Sequence, residues 1–181
     1  MKKIPSVWVR DLSLPGAIYK PEVTPGCEWV LCGVGVATRK WDGTAVLVRN
    51  GTVYARFDAK RGKTHPVNFE PCQDPDPNTG HWPGWVPATR PEDKWIREAF
   101  ARYERLPDGT YEACGPKIGG NPEKLSAHLL YRHGDMVWED VPRAFEELRA
   151  FITPLDLEGF VFHHPDGRMA KATKQGFGLR R

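Results

Sequence analysis

Apolar and polar positions along the chain divide it into short strands and a few helices. The first 28 residues carry prolines at 5, 15, 21 and 25 and predict an irregular arm with at most short strands. Val30 to Thr38 is valine-rich and predicts a strand. Thr44–Arg49 and Thr52–Asp58 alternate as half-buried strands do, and Asn50-Gly51 between them is the chemistry of a two-residue hairpin turn. Prolines at 71, 75, 77, 83, 87 and 91 predict a long loop around Trp82 and Trp85. Thr89 and Glu92 have capping-box spacing, and Trp95, Ile96, Ala99, Phe100 and Tyr103 recur with helical period, so a helix is predicted over 92–106. Thr110 to Cys114 reads as a strand. Asn121-Pro122 is expected to open a helix to about Leu130, and Asp140 to cap another carrying Ala144, Phe145, Leu148, Phe151 and Ile152 on one face. Gly159–His163 and Met169–Thr173, joined by the turn His164-Pro165-Asp166-Gly167, close the chain as a strand pair. Short antiparallel strands with helices set between them make an α+β fold.

Composition sharpens this picture at a few points. A chain of 181 residues suits one domain, with the arm at 1–28 packed on it, and is long enough to hold a core without staples. Its 18 glycines and 17 prolines exclude a helical bundle or coiled coil. A formal net charge of +3 does not by itself mark a nucleic-acid binder, so a basic groove would have to arise by clustering. Cys27, Cys32, Cys72 and Cys114 show neither C-x-x-C nor zinc-finger spacing. The longest largely apolar stretch, Trp29 to Thr38, is too short to span a bilayer, and no apolar run follows Met-Lys-Lys-Ile-Pro. The expectation is a cytoplasmic protein with reduced thiols, no membrane contact and no obligate protein partner.

Four elements carry candidate chemistry. Lys40-Trp41-Asp42-Gly43 sits between two strands. Tyr111-Glu112 places a carboxylate on a strand 72 residues after Lys40, and Glu158-Gly159 places another 46 residues beyond that. Lys171 and Lys174 follow 13 and 16 residues after Glu158. Each has a plain reading when taken alone: a hairpin turn, an exposed strand carboxylate, a second turn, a solvated edge. Their order and spacing together point further.

This ordered set resembles the covalent nucleotidyltransferase superfamily of polynucleotide ligases and capping enzymes, from about Val30 to Lys174. It is most similar to a compact RNA ligase family known from phages and vertebrates. Gly80-His81-Trp82-Pro83-Gly84-Trp85, Tyr111-Glu112 with Gly115-Pro116-Lys117 and Asn121-Pro122, Glu158–His163, and Lys171–Leu179 carry that likeness. The resemblance implies a single nucleotidyltransferase domain over 1–181, antiparallel sheets flanked by helices around a nucleotide cleft. It implies an ATP-dependent RNA ligase that joins 5′-phosphate and 3′-hydroxyl RNA ends through a lysyl-AMP on Lys40. Asp42 is implied to be essential, with a part in the joining step. The same chemistry on other ends, as a DNA ligase or a GTP-dependent guanylyltransferase, and an inactive RNA-binding module are the alternatives.

Physical roles stand beside the resemblance. A lysine amine is a covalent catalyst once neutral, and like charges at Lys171 and Lys174 favour the neutral form. Those two lysines suit the α-phosphate oxygens. Glu158 and Glu112 are hard oxygen ligands for Mg²⁺, or Mn²⁺ in its place, and Glu112 can instead accept from ribose hydroxyls. Gly43 and Gly159 would let backbone approach the nucleotide. The resemblance implies that Arg56, otherwise a cross-strand surface charge on the returning strand, contacts a phosphate of the nucleotide or RNA end. Lys60, Arg61 and Lys63 beside it form a basic run suited to RNA backbone. His163 and His164 read as strand-end residues, and Trp82, Trp85 and Phe57 as core aromatics before base-stacking ones.

Two features depart from the wider superfamily. Lys171 and Lys174 are three apart, which on a regular strand sets them on opposite faces unless a bulge or strand end intervenes. Seven residues follow Lys174, which leaves no room for an oligonucleotide-binding barrel and favours a minimal ligase.

Overall fold

The computed structural model describes residues 2–181. In chain order the strands and helices are β1 (Trp8–Arg10), β2 (Tyr19–Val23), α1 (Glu28–Leu31), β3 (Val36–Lys40), β4 (Thr44–Arg49), β5 (Thr52–Lys60), β6 (Glu70–Pro71) and β7 (His81–Pro87). After these come α2 (Lys94–Phe100), β8 (Gly109–Cys114), β9 (Leu129–Arg132), β10 (Val137–Trp138), α3 (Phe145–Ile152), β11 (Gly159–His163) and β12 (Met169–Thr173). Single 3-10 turns lie at Pro91–Asp93 and Gln175–Phe177. The sheets are antiparallel throughout and the three helices short, an α+β arrangement. No helix among the described residues is long and apolar enough to cross a membrane.

The chain forms two compact units. The first holds Lys2, Lys3 and Asp42–His133; the second holds Ile4–Trp41 and Gly134–Arg181.

The first unit is built on a six-stranded sheet in the order β6-β7-β5-β4-β8-β9. Asn50 and Gly51 both take left-handed backbone, with φ of 50° and 70°, as a primed hairpin turn requires. One face of the sheet buries Val46, Val48, Val53, Ala55, Val86, Tyr111, Ala113 and Leu130 against Ile96 and Ala99 of α2. The expected loop at 71–91 contains a strand: β7 pairs with β5 along its whole length. The outer pairing beside its prolines is short: β6 covers only Trp85 and Gly84, the Cys72 N–H meets the Pro83 carbonyl at 2.9 Å, and Pro87 lies on an edge. The helix predicted over 92–106 is shorter. Its start is fixed by Arg90 and Asp93, not by Thr89 and Glu92: Asp93 accepts from the Arg90 backbone at 3.1 Å and from its guanidinium at 3.0 and 2.7 Å. The helix expected from Asn121 does not form. Asn121 and Lys124 are left-handed, with φ of 59° and 54°, and the Asn121 side chain brackets Leu125, accepting from its N–H at 2.9 Å and donating to its carbonyl at 3.0 Å. Local side-chain bonds have displaced the helical ladder there.

The second unit has a four-stranded sheet, β10-β3-β11-β12, and the separate pair β1-β2. The strand expected from Val30 begins only at Val36. Residues 28–31 form one helical turn, and left-handed Gly33 and Gly35 (φ 75° and 77°) separate it from β3. β3 then runs on to Lys40, which puts the candidate nucleophile on a strand rather than in a turn. Asp140 does not cap α3. It is left-handed at φ 54°, and Ala144 occupies the cap position, while Leu148 and Ile152 face the core as the pattern predicted. The arm is tied down through β1 and β2. The Val7 N–H donates to the Lys171 carbonyl and the Lys171 N–H to the Pro5 carbonyl, each at 2.9 Å.

Candidate active-site residues

The expected site residues divide between the units. Lys40, Glu158, Lys171 and Lys174 belong to the second. Asp42, Gly43, Arg56, Lys60, Arg61, Lys63 and Glu112 belong to the first.

In the second unit, register decides which side chains share a surface. Ala37, Phe160, Phe162, Ala170 and Ala172 are fully or almost fully buried and define the core face of the β3-β11-β12 sheet. Side chains alternate along a strand, and directly paired residues point the same way. Lys40 pairs with Gly159, Thr38 with Val161, and Val161 with Lys171. All of these alternate with the core set, so Lys40 and Lys171 lie on the opposite face, two strands apart and one row offset. Strand spacing and rise put their Cα atoms roughly 12 Å apart, within reach of two lysine side chains converging on one phosphate. Gly159 leaves the position between Lys40 and Thr173 without a side chain.

Glu158 enters β11 and its carboxylate accepts from the Lys40 ammonium in an ion pair, with the two side chains 23% and 26% exposed. The charge in contact with Lys40 Nζ is therefore a carboxylate. Lys174 is placed differently from Lys171. β12 ends at Thr173, and the Lys174 N–H donates to the Glu158 carbonyl at 2.9 Å. Its buried ammonium donates to the carbonyl of Thr153, the residue closing α3, at 3.0 Å, a cation placed at a helix C-terminus. Of the two lysines, Lys171 shares with Lys40 the sheet face opposite the core, on which Thr38 and Val161 are themselves buried.

Thr38 and His163 sit on the same face, with Nε2 of His163 2.9 Å from the Thr38 hydroxyl. β11 ends at His163; His164, the first residue beyond it, contacts Asp166 at 2.7 Å and the Trp29 ring edge-on.

In the first unit, Arg56 and Glu112 alternate with the core residues Ala55, Tyr111 and Ala113 and therefore lie on the open face of the six-stranded sheet. Arg56 pairs with Trp85, over whose ring its guanidinium sits at 5.3 Å, and it donates to the Cys72 sulfur at 3.7 Å. Glu112 pairs with Ala45 on one side and Tyr131 on the other. His133 reaches its carboxylate with Nε2 at 2.8 Å, while Nδ1 lies 3.0 Å from the Thr110 hydroxyl. His133 was not singled out in the sequence. Continuing the β8-β9 register one step beyond Tyr111–Arg132 sets it opposite Thr110, one row from Glu112.

Gly43 and Gly159 have a structural reason for lacking side chains. A Cβ on Gly43 would lie 2.1 Å from the Ala113 carbonyl oxygen, and one on Gly159 2.2 Å from that of Ala172. Both are required by neighbouring strands, whatever approaches from outside. Lys60, Arg61 and Lys63 are exposed where β5 turns back, the turn closed by Lys63 N–H to the Lys60 carbonyl at 2.9 Å. Arg56 also lines an open groove with Lys3, Asp58, Gln73, Asp76 and His81. Trp82 packs edge-on to Phe69 and His65, Phe57 edge-on to Phe69, and Trp85 is buried, so these aromatics are engaged in packing.

The four cysteines are free thiols. No group of three or more His, Cys, Asp or Glu side chains that could hold a metal ion occurs among the described residues. Neither protein-family models nor curated protein sequences match the chain.

Proposed function

We propose that the chain is a single nucleotidyltransferase domain acting as an ATP-dependent RNA ligase, which joins 5′-phosphate and 3′-hydroxyl RNA ends. The observation that carries this reading is the non-core face of the β3-β11-β12 sheet in the second unit, where Lys40 of K-x-D-G is paired with Glu158 and shares its side of the sheet with Lys171.

The chemistry follows from those groups. Lys40 Nζ must lose its proton before it can attack, and the Glu158 carboxylate is the base already in contact with it. Nζ then forms a bond to the α-phosphorus of ATP, the bond to the bridging oxygen breaks, and pyrophosphate leaves. Lys171 offsets charge that builds on the α-phosphate oxygens. In the second step a 5′-phosphate oxygen of RNA attacks the lysyl phosphoramidate, and AMP passes to the RNA as Nζ takes back a proton. In the third, a 3′-hydroxyl attacks the 5′-phosphate and AMP departs. Arg56 suits a phosphate of nucleotide or RNA, Glu112 the ribose hydroxyls, and Lys60, Arg61 and Lys63 the RNA backbone. When bound at Glu158 or Glu112, Mg²⁺ or Mn²⁺ neutralises the polyphosphate.

Incubation with α-labelled ATP and Mg²⁺, followed by denaturing electrophoresis, tests the first step: label that survives denaturation is expected. Label from GTP in its place would mark a guanylyltransferase. Sealing of nicked DNA but not RNA would mark a DNA ligase, and RNA binding with no labelling at any pH or metal would mark an inactive module.

A further inference from the structure

Two backbone groups of Asp42 are held inside the first unit. Its N–H donates to Glu123 Oε1 at 3.0 Å, and its carbonyl accepts from the Cys114 thiol at 3.8 Å. Glu123 lies 81 positions along the chain, on the irregular segment between β8 and β9.

That segment is anchored at several points. Ile118 is buried in the core, and Asn121 brackets Leu125. His128, only 4% exposed, stacks on Trp95 at 4.9 Å between ring centres. Its Nε2 is 3.2 Å from the Lys117 N–H, which can only donate, so Nε2 carries no proton and Nδ1–H donates to Glu98 at 2.8 Å. This bond holds the Glu98 carboxyl below the usual carboxylate range. Gly115 completes the fit, since a Cβ there would stand 2.6 Å from the His128 ring.

We propose that Glu123 is a positioning residue for Asp42, its carboxylate fixing the peptide that carries the Asp42 side chain while the His128-anchored segment keeps Glu123 in place. The proposal rests on the ligase reading, in which Asp42 serves the joining step. A peptide free to rotate would carry the Asp42 carboxylate off by an ångström or so, a displacement that costs up to about 100-fold in rate. The Asp42 N–H needs an oxygen acceptor and not a charge, so glutamine can replace Glu123 whereas alanine cannot.

Glu123→Ala, Glu123→Gln and His128→Phe are compared with wild type in two measurements. One is hydrogen exchange of the Asp42 amide by NMR. The other is single-turnover joining of 5′-adenylylated RNA to a 3′-hydroxyl strand. Glu123→Ala should lose amide protection and join roughly 10- to 100-fold more slowly, with Glu123→Gln close to wild type in both. His128→Phe keeps the stack on Trp95 but neither hydrogen bond, and should show the same losses in smaller measure. Wild-type joining by Glu123→Ala, retained protection of its Asp42 amide, or equal impairment of Glu123→Gln overturns the proposal. If Glu123→Ala does not fold, an unchanged His128→Phe overturns it. A wild type that joins no adenylylated RNA overturns the ligase reading and the catalytic part with it, and the exchange data then report the restraint on Asp42 alone.

Discussion

Lys40 rests against a carboxylate, and that contact separates chemistry from stability at this residue. Both partners are only about a quarter exposed, so the informative substitution is one that keeps an oxygen acceptor against the Lys40 ammonium and removes only the negative charge. Glu158→Gln keeps size and most contacts but cannot accept the Nζ proton or balance a cation. It should lower adenylylation by about 100-fold or more while the melting temperature moves by only a few degrees. Unfolding of the variant, or full activity, would exclude the role. Lys40→Ala and Lys40→Arg should show no AMP adduct by intact mass, because neither offers a neutral amine at that position. An adduct on either would mean that another residue carries the nucleotide. His133 and Glu123 show what single-residue reading misses: each contacts a motif residue by way of strand register or a folded segment, and neither belongs to a recognisable motif.

At the level of elements, the β3-β11-β12 sheet brings Lys40, Glu158 and Lys171 together from positions up to 131 residues apart. Gly159 makes that packing possible. Gly159→Ala would push a methyl group to within 2.2 Å of the Ala172 carbonyl oxygen and 2.8 Å of the Thr173 Cα, neither of which can swing aside as a flexible side chain would. The strands must part, at a cost of about 1–3 kcal/mol by chemical denaturation. Adenylylation should fall as well, since Lys40 and Lys171 lie on the strands that move. A variant as stable as wild type would show that the sheet yields more easily than close packing implies. The offset of Lys174 is also settled by an element's end: β12 stops at Thr173, and the next side chain turns to the close of α3.

At the scale of the molecule, the net charge of +3 is small, so on the ligase reading the RNA would have to be held by local clusters. Lys60, Arg61 and Lys63 are exposed together in the first unit. Replacing all three with alanine should leave most self-adenylylation intact, since that step needs only ATP, and impair joining. If each contacts one phosphate, the logarithmic salt slope of RNA binding should become shallower by about 2. Unchanged joining would place the RNA elsewhere, and equal loss of both steps would assign the run to the nucleotide.

The α+β class, the Asn50-Gly51 hairpin and the strands at 44–49, 159–163 and 169–173 were legible in the sequence because each depends on local alternation and turn chemistry. The candidate motif residues were legible for a different reason, as an ordered set of residue types. Where glycine, asparagine or proline competed with periodicity, local reading failed: at α1, at 121–130 and at β7. There side-chain hydrogen bonds and edge pairing outweighed propensity. Which carboxylate meets Lys40, which histidine meets Glu112 and where the Lys174 ammonium goes were decided only by tertiary structure. Antiparallel register joins residues far apart in sequence, and that register is set by which faces bury the two cores.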